Sequence, residues 1–293
     1  KGSRTRSPTT GSSTGSSPQT RADDEKNGVD HARRPRTYIR FSEVATAVKK
    51  LGQHFLVDRR VLSRIGDYAS LDLGDRVLEI GPGTGNLTEV LSARAGTVFA
   101  IEVDPSLASS LEGRFDNVVV LRGDALRVSL PDYNKIVSNL PYQISSKITF
   151  RLLERPFDLA VLMYQREFAE RMVAKPGTKE YGRLTINVSL RAEAEILERV
   201  PRGAFRPMPQ VESAIVRLRP RDERIAVDER IFDDLTRTIF SMRRKKVKRS
   251  LAAMKVSSEA LSRIDPELLE KRPQDLSLEE VVDMAEAISA SEL

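Results

Sequence analysis

Asn139-Leu140-Pro141-Tyr142 joins an amide, a backbone carbonyl, a rigid turn and an aromatic ring at the end of the apolar run Lys135-Ile136-Val137-Ser138. That set suits attack by a weak amino nucleophile. The exocyclic nitrogen of adenine is such a group, because its lone pair is delocalised into the ring. The Asn139 amide oxygen and a backbone carbonyl at Leu140 would each accept one amino hydrogen and aim the lone pair at a methyl group. Pro141 fixes the chain direction, and Tyr142 offers a face on which the base stacks. Positioning and electrostatics carry such a transfer. No strong base is needed, since the nitrogen becomes acidic as it gains positive charge. An ordinary Asn-Pro turn uses the same residues, so the segment gains meaning only from its companions.

The first companion is Gly81-Pro82-Gly83-Thr84-Gly85, which follows the apolar run Arg76-Val77-Leu78-Glu79-Ile80. Glycines at a strand-to-helix turn let backbone approach a ligand without Cβ clash. Their spacing departs from the dinucleotide fingerprint G-x-G-x-x-G. It fits a nucleoside without phosphates, such as S-adenosylmethionine, which needs only a close backbone wall. Glu102 ends the next run, where its carboxylate would hold both ribose hydroxyls, and Asp124 ends the third, facing an adenine amino group. Val103 and Ala125 adjoin these acids and belong with the cofactor contacts. Glu79 precedes the glycines and either orients the loop or faces the sulfonium. Any one of these acids alone reads as a solvated strand end. Three on one sheet edge point to nucleoside-cofactor binding, because ligands of open α/β sheets bind there.

Positioning these groups requires a sheet. Five short, β-branched runs beginning at Arg76, Thr97, Val118, Lys135 and Leu159 read as buried parallel strands. Leu184–Leu190 and Ser213–Leu218 supply two more strand candidates. The segments between, such as Leu87–Ala93 and Ser106–Phe115, carry helical spacing. The expected fold is α/β: a doubly wound, mostly parallel seven-stranded sheet, Rossmann-like, over residues 37–220. After Pro220 the strand signal fades, and Glu229–Phe240, Val247–Met254, Ser258–Ile264 and Leu278–Ile288 read as helices. Residues 221–293 are therefore expected to form a smaller all-helical domain. Residues 1–36, rich in Ser, Thr, Gly and Arg, are expected to be a disordered basic tail.

Composition narrows the partners. The 293 residues carry a formal net charge of +6, and 40% are hydrophobic. The positive balance favours a polyanion. No apolar run is long enough to span a bilayer, so no membrane partner is expected. Cysteine is absent and only His31 and His54 offer imidazoles, so no catalytic metal is expected. Absent cysteine is compatible with a cytoplasmic location. The densest positive run is Arg243, Arg244, Lys245, Lys246, Lys248 and Arg249, expected on a helix and read as phosphate contacts to RNA. Some of it faces solvent on any reading. Arg166, Arg171, Lys175, Lys179 and Arg183 would extend the patch. Phe205, on a stiff loop among prolines, reads either as a core anchor or as the second half of a sandwich with Tyr142 around an extruded adenine.

Taken together and in order, these motifs resemble the ribosomal RNA adenine dimethyltransferase family, from about Leu51 to Ser250. Leu51-Gly52-Gln53-His54-Phe55-Leu56 resembles a motif that caps the cofactor, with His54 where many members have Asn. The resemblance makes Gln53, His54 and Leu56 cofactor contacts, with Glu79, Gly81, Gly83, Glu102, Asp124 and Asn139. Asn139–Ser146 resembles the catalytic motif, Phe205–Ala214 the loop whose aromatic packs near the target base, and Phe240–Leu251 the basic motif of the helical domain. The resemblance implies a class I methyltransferase fold and S-adenosyl-L-methionine as cofactor. It implies dimethylation of two adjacent adenosines in the 3'-terminal hairpin of small-subunit ribosomal RNA, on RNA or an immature subunit, by a monomer. Two alternatives remain: a large-subunit ribosomal RNA target, or an RNA-binding assembly or transcription factor with methylation secondary. The sequence style looks archaeal.

Overall fold

The computed structural model of the chain describes residues 53–291. The expected tail over residues 1–36, His31, and Leu51-Gly52 of the N-terminal motif lie outside the described residues.

Seven strands form one sheet in the order β4-β3-β2-β5-β6-β9-β7. They are β2 (Arg76–Ile80), β3 (Thr97–Glu102), β4 (Val118–Arg122), β5 (Lys135–Asn139), β6 (Leu159–Gln165), β7 (Ala192–Val200) and β9 (Ser213–Pro220). The strands β4 to β6 run parallel, and β9 is antiparallel to both β6 and β7. Side chains alternate between two cores. Leu78, Ile80, Ile136, Leu162 and Val216 face one, while Val77, Val137, Val161, Met163 and Ile215 face the other. Burial on both faces is why these strands read as unbroken apolar runs. A second, two-stranded sheet pairs β1 (Phe55–Leu56) with β8 (Phe205–Arg206).

Helices α1 (Arg59–Tyr68), α2 (Asn86–Ser92), α3 (Pro105–Leu111), α4 (Ser145–Leu153) and α5 (Arg166–Met172) connect the strands. Asp58 caps α1 by accepting from the Arg60 N–H at 2.8 Å, and Asp104 caps α3 by accepting from Ser106 N–H at 2.8 Å. Each cap satisfies backbone donors that have no partner within the helix.

The expectation of a strand over Leu184–Leu190 is overturned: Arg183–Arg191 is a helix, α6. Its alternation Leu184, Ile186, Val188, Leu190 imitates a strand because the helix is buried on two sides. Leu184 and Val188, four residues apart, pack into the sheet's core; Ile186 and Leu190 pack into the core of the following helices. Two helical stripes interleaved give a period of two. The missing strand is β7, whose Glu193, Glu195, Glu198 and Arg199 mask its pattern on an edge of the sheet. There Arg217 meets Glu195 at 2.5 Å across the ladder.

The helices after the sheet are α7 (Glu229–Ser241), α8 (Val247–Met254), α9 (Ser258–Arg263), α10 (Pro266–Glu270) and α11 (Leu278–Ser289). Their core gathers Phe232, Leu235, Ile239, Leu251, Leu276, Val281 and Ile288, together with Tyr181, Ile186 and Leu190. The Tyr181 hydroxyl donates to Leu276 O at 2.6 Å, and Asn187 Nδ2 donates to Thr236 Oγ1 at 3.2 Å. Helix α6 thus belongs to both cores. Leu184→Ala and Leu190→Ala are each expected to cost about 2–5 kcal/mol by chemical denaturation. Their effects should add to within about 0.5 kcal/mol, because the two side chains share no packing cluster.

Candidate active site

The strand order reverses at β2, so chain leaves β2 and β5 toward opposite faces and a crevice opens at their carboxyl ends. The cleft there is lined by Gln53, His54, Phe55 and Leu56 on one side, the glycine loop with Glu79 below, and Asn139, Leu140, Pro141 and Tyr142 opposite. The structure therefore brings together three motifs separated by nearly ninety residues of chain.

The glycines serve packing as well as approach. Gly83 has φ +57°, and a Cβ there would lie 2.7 Å from the Phe55 ring. Gly81 has φ +69°, and its Cβ would meet Pro141 Cγ at 3.0 Å. The space they leave lets β1 and the Pro141 turn close on the loop. Gly83 N–H donates to Glu102 Oε2 at 3.0 Å, and Asp104 N–H donates to Glu102 Oε1 at 2.9 Å. These bonds hold the Glu102 carboxylate in one orientation, and each oxygen keeps a second lone pair for a hydroxyl donor. Burial pushes the Glu102 carboxyl above its ordinary value, against the backbone donors that lower it.

Glu79 is fully enclosed beneath the loop. Burial raises its carboxyl to about 8, opposed by the hydrogen bond from Thr88 Oγ1 at 2.7 Å and reinforced by nearby Glu102. In the ligand-free cleft that shift favours the protonated acid at neutral pH.

Asp124 and Ala125 stand at the end of β4 beyond the cleft's lining, as do Glu102 and Val103 at the end of β3. Asp124 Oδ1 accepts from Leu126 N–H at 2.9 Å, which sets its side chain at the turn. Val103 is an exposed apolar residue beside it in the row of strand ends.

The β1 segment is fastened over the cleft by three bonds. Asn86 Nδ2 donates to Leu56 O at 2.8 Å, His54 Nδ1 bonds Pro207 O at 2.9 Å, and Asn139 Nδ2 donates to His54 O at 3.5 Å. The last of these turns the Asn139 amide so that its oxygen is left to accept. Tyr142 stands with its hydroxyl 2.7 Å from Ser213 Oγ, and burial raises its phenol above the ordinary value. Asn86, Thr88 and Ser213 went unmarked in the sequence; short polar residues beside strong motifs carry no spacing signal of their own.

Phe205 does not join Tyr142 in the cleft. Its ring is 0% exposed and sits in the core with Leu56, Val61, Leu62 and Ile215. Strand β8 pairs Phe205 with Leu56, which turns the side chain inward. The core-anchor reading describes its position.

The basic run also departs from expectation. Arg243–Lys246 form the turn between α7 and α8, and only Lys248 and Arg249 lie on a helix. Lys246 and Lys248 both reach Glu270 at 2.5 Å, which draws the Glu270 carboxyl down to about 2. Arg243 donates to Thr178 O at 2.9 Å. Arg244, Lys245 and Arg249 have no ion-pair partner among the described residues, and with Lys179 they line a second, open cleft. Arg166 is paired with Glu212 and Glu170, and Arg183 lies over the Phe150 ring.

The raised Glu79 carboxyl has a consequence for stability. The folded chain holds a proton there that an unfolded chain releases near the ordinary carboxylate range. Stability of the ligand-free protein should therefore fall as pH rises from about 4.5 to about 8, by about 5 kcal/mol in total. Glu79→Gln should remove that slope when denaturant midpoints are measured at pH 5 and pH 9.

The sequence model of the ribosomal RNA adenine dimethylase family matches residues 44–289. A probable ribosomal RNA small subunit methyltransferase A of Methanothermobacter thermautotrophicus is 49% identical over 249 residues, 82% of this chain and 90% of that protein. The protein so described in Methanosarcina mazei is 47% identical over 246 residues, 80% of this chain and 91% of that protein. Among solved structures, a dimethyladenosine transferase from Plasmodium falciparum aligns with a TM-score of 0.74 at 31% identity, covering 82% of this chain and 99% of that one. The 23S rRNA methyltransferase ErmE aligns with a TM-score of 0.57 at 31% identity, covering 79% of this chain and 99% of that one. Motifs, sheet order and these similarities agree, and the chain belongs to the ribosomal RNA adenine dimethylase family.

Proposed function

We propose that the chain uses S-adenosyl-L-methionine to dimethylate the N6 nitrogens of two adjacent adenosines in the 3'-terminal hairpin of small-subunit ribosomal RNA. The observation that carries this reading is the single cleft shared by the glycine loop and Asn139–Tyr142. The cofactor supplies an electrophilic methyl on sulfur. Glu102 would accept from its ribose, Asp124 from its adenine amino group, and Gln53, His54 and Leu56 would form the wall above. The Asn139 amide oxygen and the Leu140 carbonyl accept the two hydrogens of the target amino group. Those two contacts would aim the nitrogen lone pair at the donor, and the reaction would gain mainly from positioning. Tyr142 stacks on the base.

The small-subunit target is supported by the descriptions of relatives at 47% and 49% identity. The exposed Arg244, Lys245 and Arg249 beside Lys179 favour phosphate contact by the helical segment over residues 221–293. In this reading the chain acts as a cytoplasmic monomer during small-subunit maturation. Among the described residues, no helix is long and apolar enough to cross a membrane.

Asn139→Ala should lower methyl transfer to unmodified small subunits by about 10²–10³-fold, the usual scale for losing one aligned polar contact in the transition state. Nucleotide-resolution mapping decides the target: methylation confined to large-subunit RNA, or wild-type subunit maturation with Asn139→Ala, would overturn the proposal.

The basic turn yields a separate test. Replacing Arg244, Lys245 and Arg249 by Ala should weaken RNA binding and flatten its salt dependence by about two to three units of log–log slope. Glu270→Gln, which releases Lys246 and Lys248, should steepen the slope and tighten binding.

A further inference from the structure

We infer that Ser138 is a positioning residue for methyl transfer: its buried hydroxyl sets the width of the crevice between the glycine loop and the Asn139 turn. The inference rests on the adenine-methylating reading of that cleft and deepens it, adding a residue that does not line the cleft.

The crevice opens where one ladder stops short. The β2–β3 register runs to the strand ends, where Ile80 pairs with Ile101, and the β5–β6 register runs to Asn139 with Met163. Between β2 and β5 the register ends at Leu78 with Ile136. Continued, it would set Ile80 opposite Ser138. There the Ser138 hydroxyl bridges the strands instead. It donates to Ile80 O at 2.6 Å and accepts from Ile80 N–H at 3.3 Å. Both roles are fixed, because a carbonyl can only accept and a hydroxyl has one hydrogen and two lone pairs. Ser138 is buried, so this one side chain satisfies a donor and an acceptor away from solvent, where leaving them unpaired is costly.

The place of the bridge gives it a role beyond stability. Ile80 directly precedes Gly81, and Ser138 directly precedes Asn139. The glycine loop is fastened to the β3 side, by Gly81 N–H donating to Ile101 O at 2.9 Å and Gly83 N–H donating to Glu102 Oε2 at 3.0 Å. The Asn139 turn is fastened to the β6 side by its register with Met163. The groups that would hold the methyl donor and those that would hold the acceptor thus hang on different ladders. Ser138 joins them at the last residue before each loop. Its bulk keeps the strands from zipping on toward their ends, and its two bonds keep them from parting. In-line transfer is sensitive to such spacing, since a misplacement of about an ångström can cost about a hundredfold in rate.

The test uses the full chain and ribosomal subunits that lack the modification. Ser138→Ala should lower single-turnover methyl transfer, at saturating cofactor and RNA, roughly ten- to hundredfold. Affinity for S-adenosylhomocysteine, measured by calorimetry, should change far less, because Glu102 and the glycine loop keep their own bonds on the β3 side. An adduct joining adenosine N6 to the donor's methyl position would span both halves, and its affinity should fall with the rate. A loss of fold stability alone would move neither quantity below the melting temperature. Ser138→Thr, which keeps the hydroxyl, should retain most of the rate, and Ser138→Val, of the same shape without it, should behave as Ala does.

Wild-type transfer by Ser138→Ala would overturn the inference. So would an equal loss of S-adenosylhomocysteine affinity, an adduct bound as tightly as by the wild-type chain, or Thr and Val variants that behave alike. Counting labelled methyl in all ribosomal RNA separates the bridge from the target. Transfer that depends on Ser138 but is confined to large-subunit RNA would uphold the bridge and defeat the small-subunit reading, whereas no transfer by the wild-type chain to any RNA would defeat both.

Discussion

A parallel sheet whose strand order reverses forces two neighbouring strands to send their chains to opposite faces. In this protein those strands are β2 and β5. Nothing covers their carboxyl ends from within the sheet, and the glycine loop and the Asn139 turn emerge side by side. In the proposed reaction a cofactor held by one would lie adjacent to a nucleophile held by the other, and the backbone order would convert a bimolecular encounter into a local one.

What the sheet leaves open, β1 closes. This strand has only two residues, yet Asn86 holds its Leu56 carbonyl, Asn139 and Pro207 hold the adjoining His54, and its Phe55 ring fills the space that Gly83 vacates. The left-handed backbone at Gly83 and the aromatic ring of Phe55 are one constraint seen from two sides. A side chain at Gly83 would strain the turn and also lift the wall of the cleft.

Much of the sheet was legible because strands buried on both faces leave short β-branched runs ending in acids or glycines. The first five strands follow from that pattern. Leu184–Leu190 did not, since a helix shared by two cores copies the period of a strand, and β7 hid its pattern behind Glu193, Glu195 and Glu198 on an edge. The cleft's principal residues followed from motif order. Phe205 shows the limit: its spacing announces an aromatic, but only the pairing with Leu56 decides that the ring points inward. Likewise six basic residues in seven positions suggested a helix face, whereas Glu270, distant in sequence, takes two of them into ion pairs.

Helix α6 carries one more implication. Because Leu184 and Val188 serve the sheet while Ile186 and Leu190 serve the bundle, the two parts share a rigid beam rather than a hinge. In the proposed reading, an RNA held at the Arg244 turn would meet the cleft at a set span, and the protein would gauge its substrate by the distance between backbone grip and reactive nucleotide.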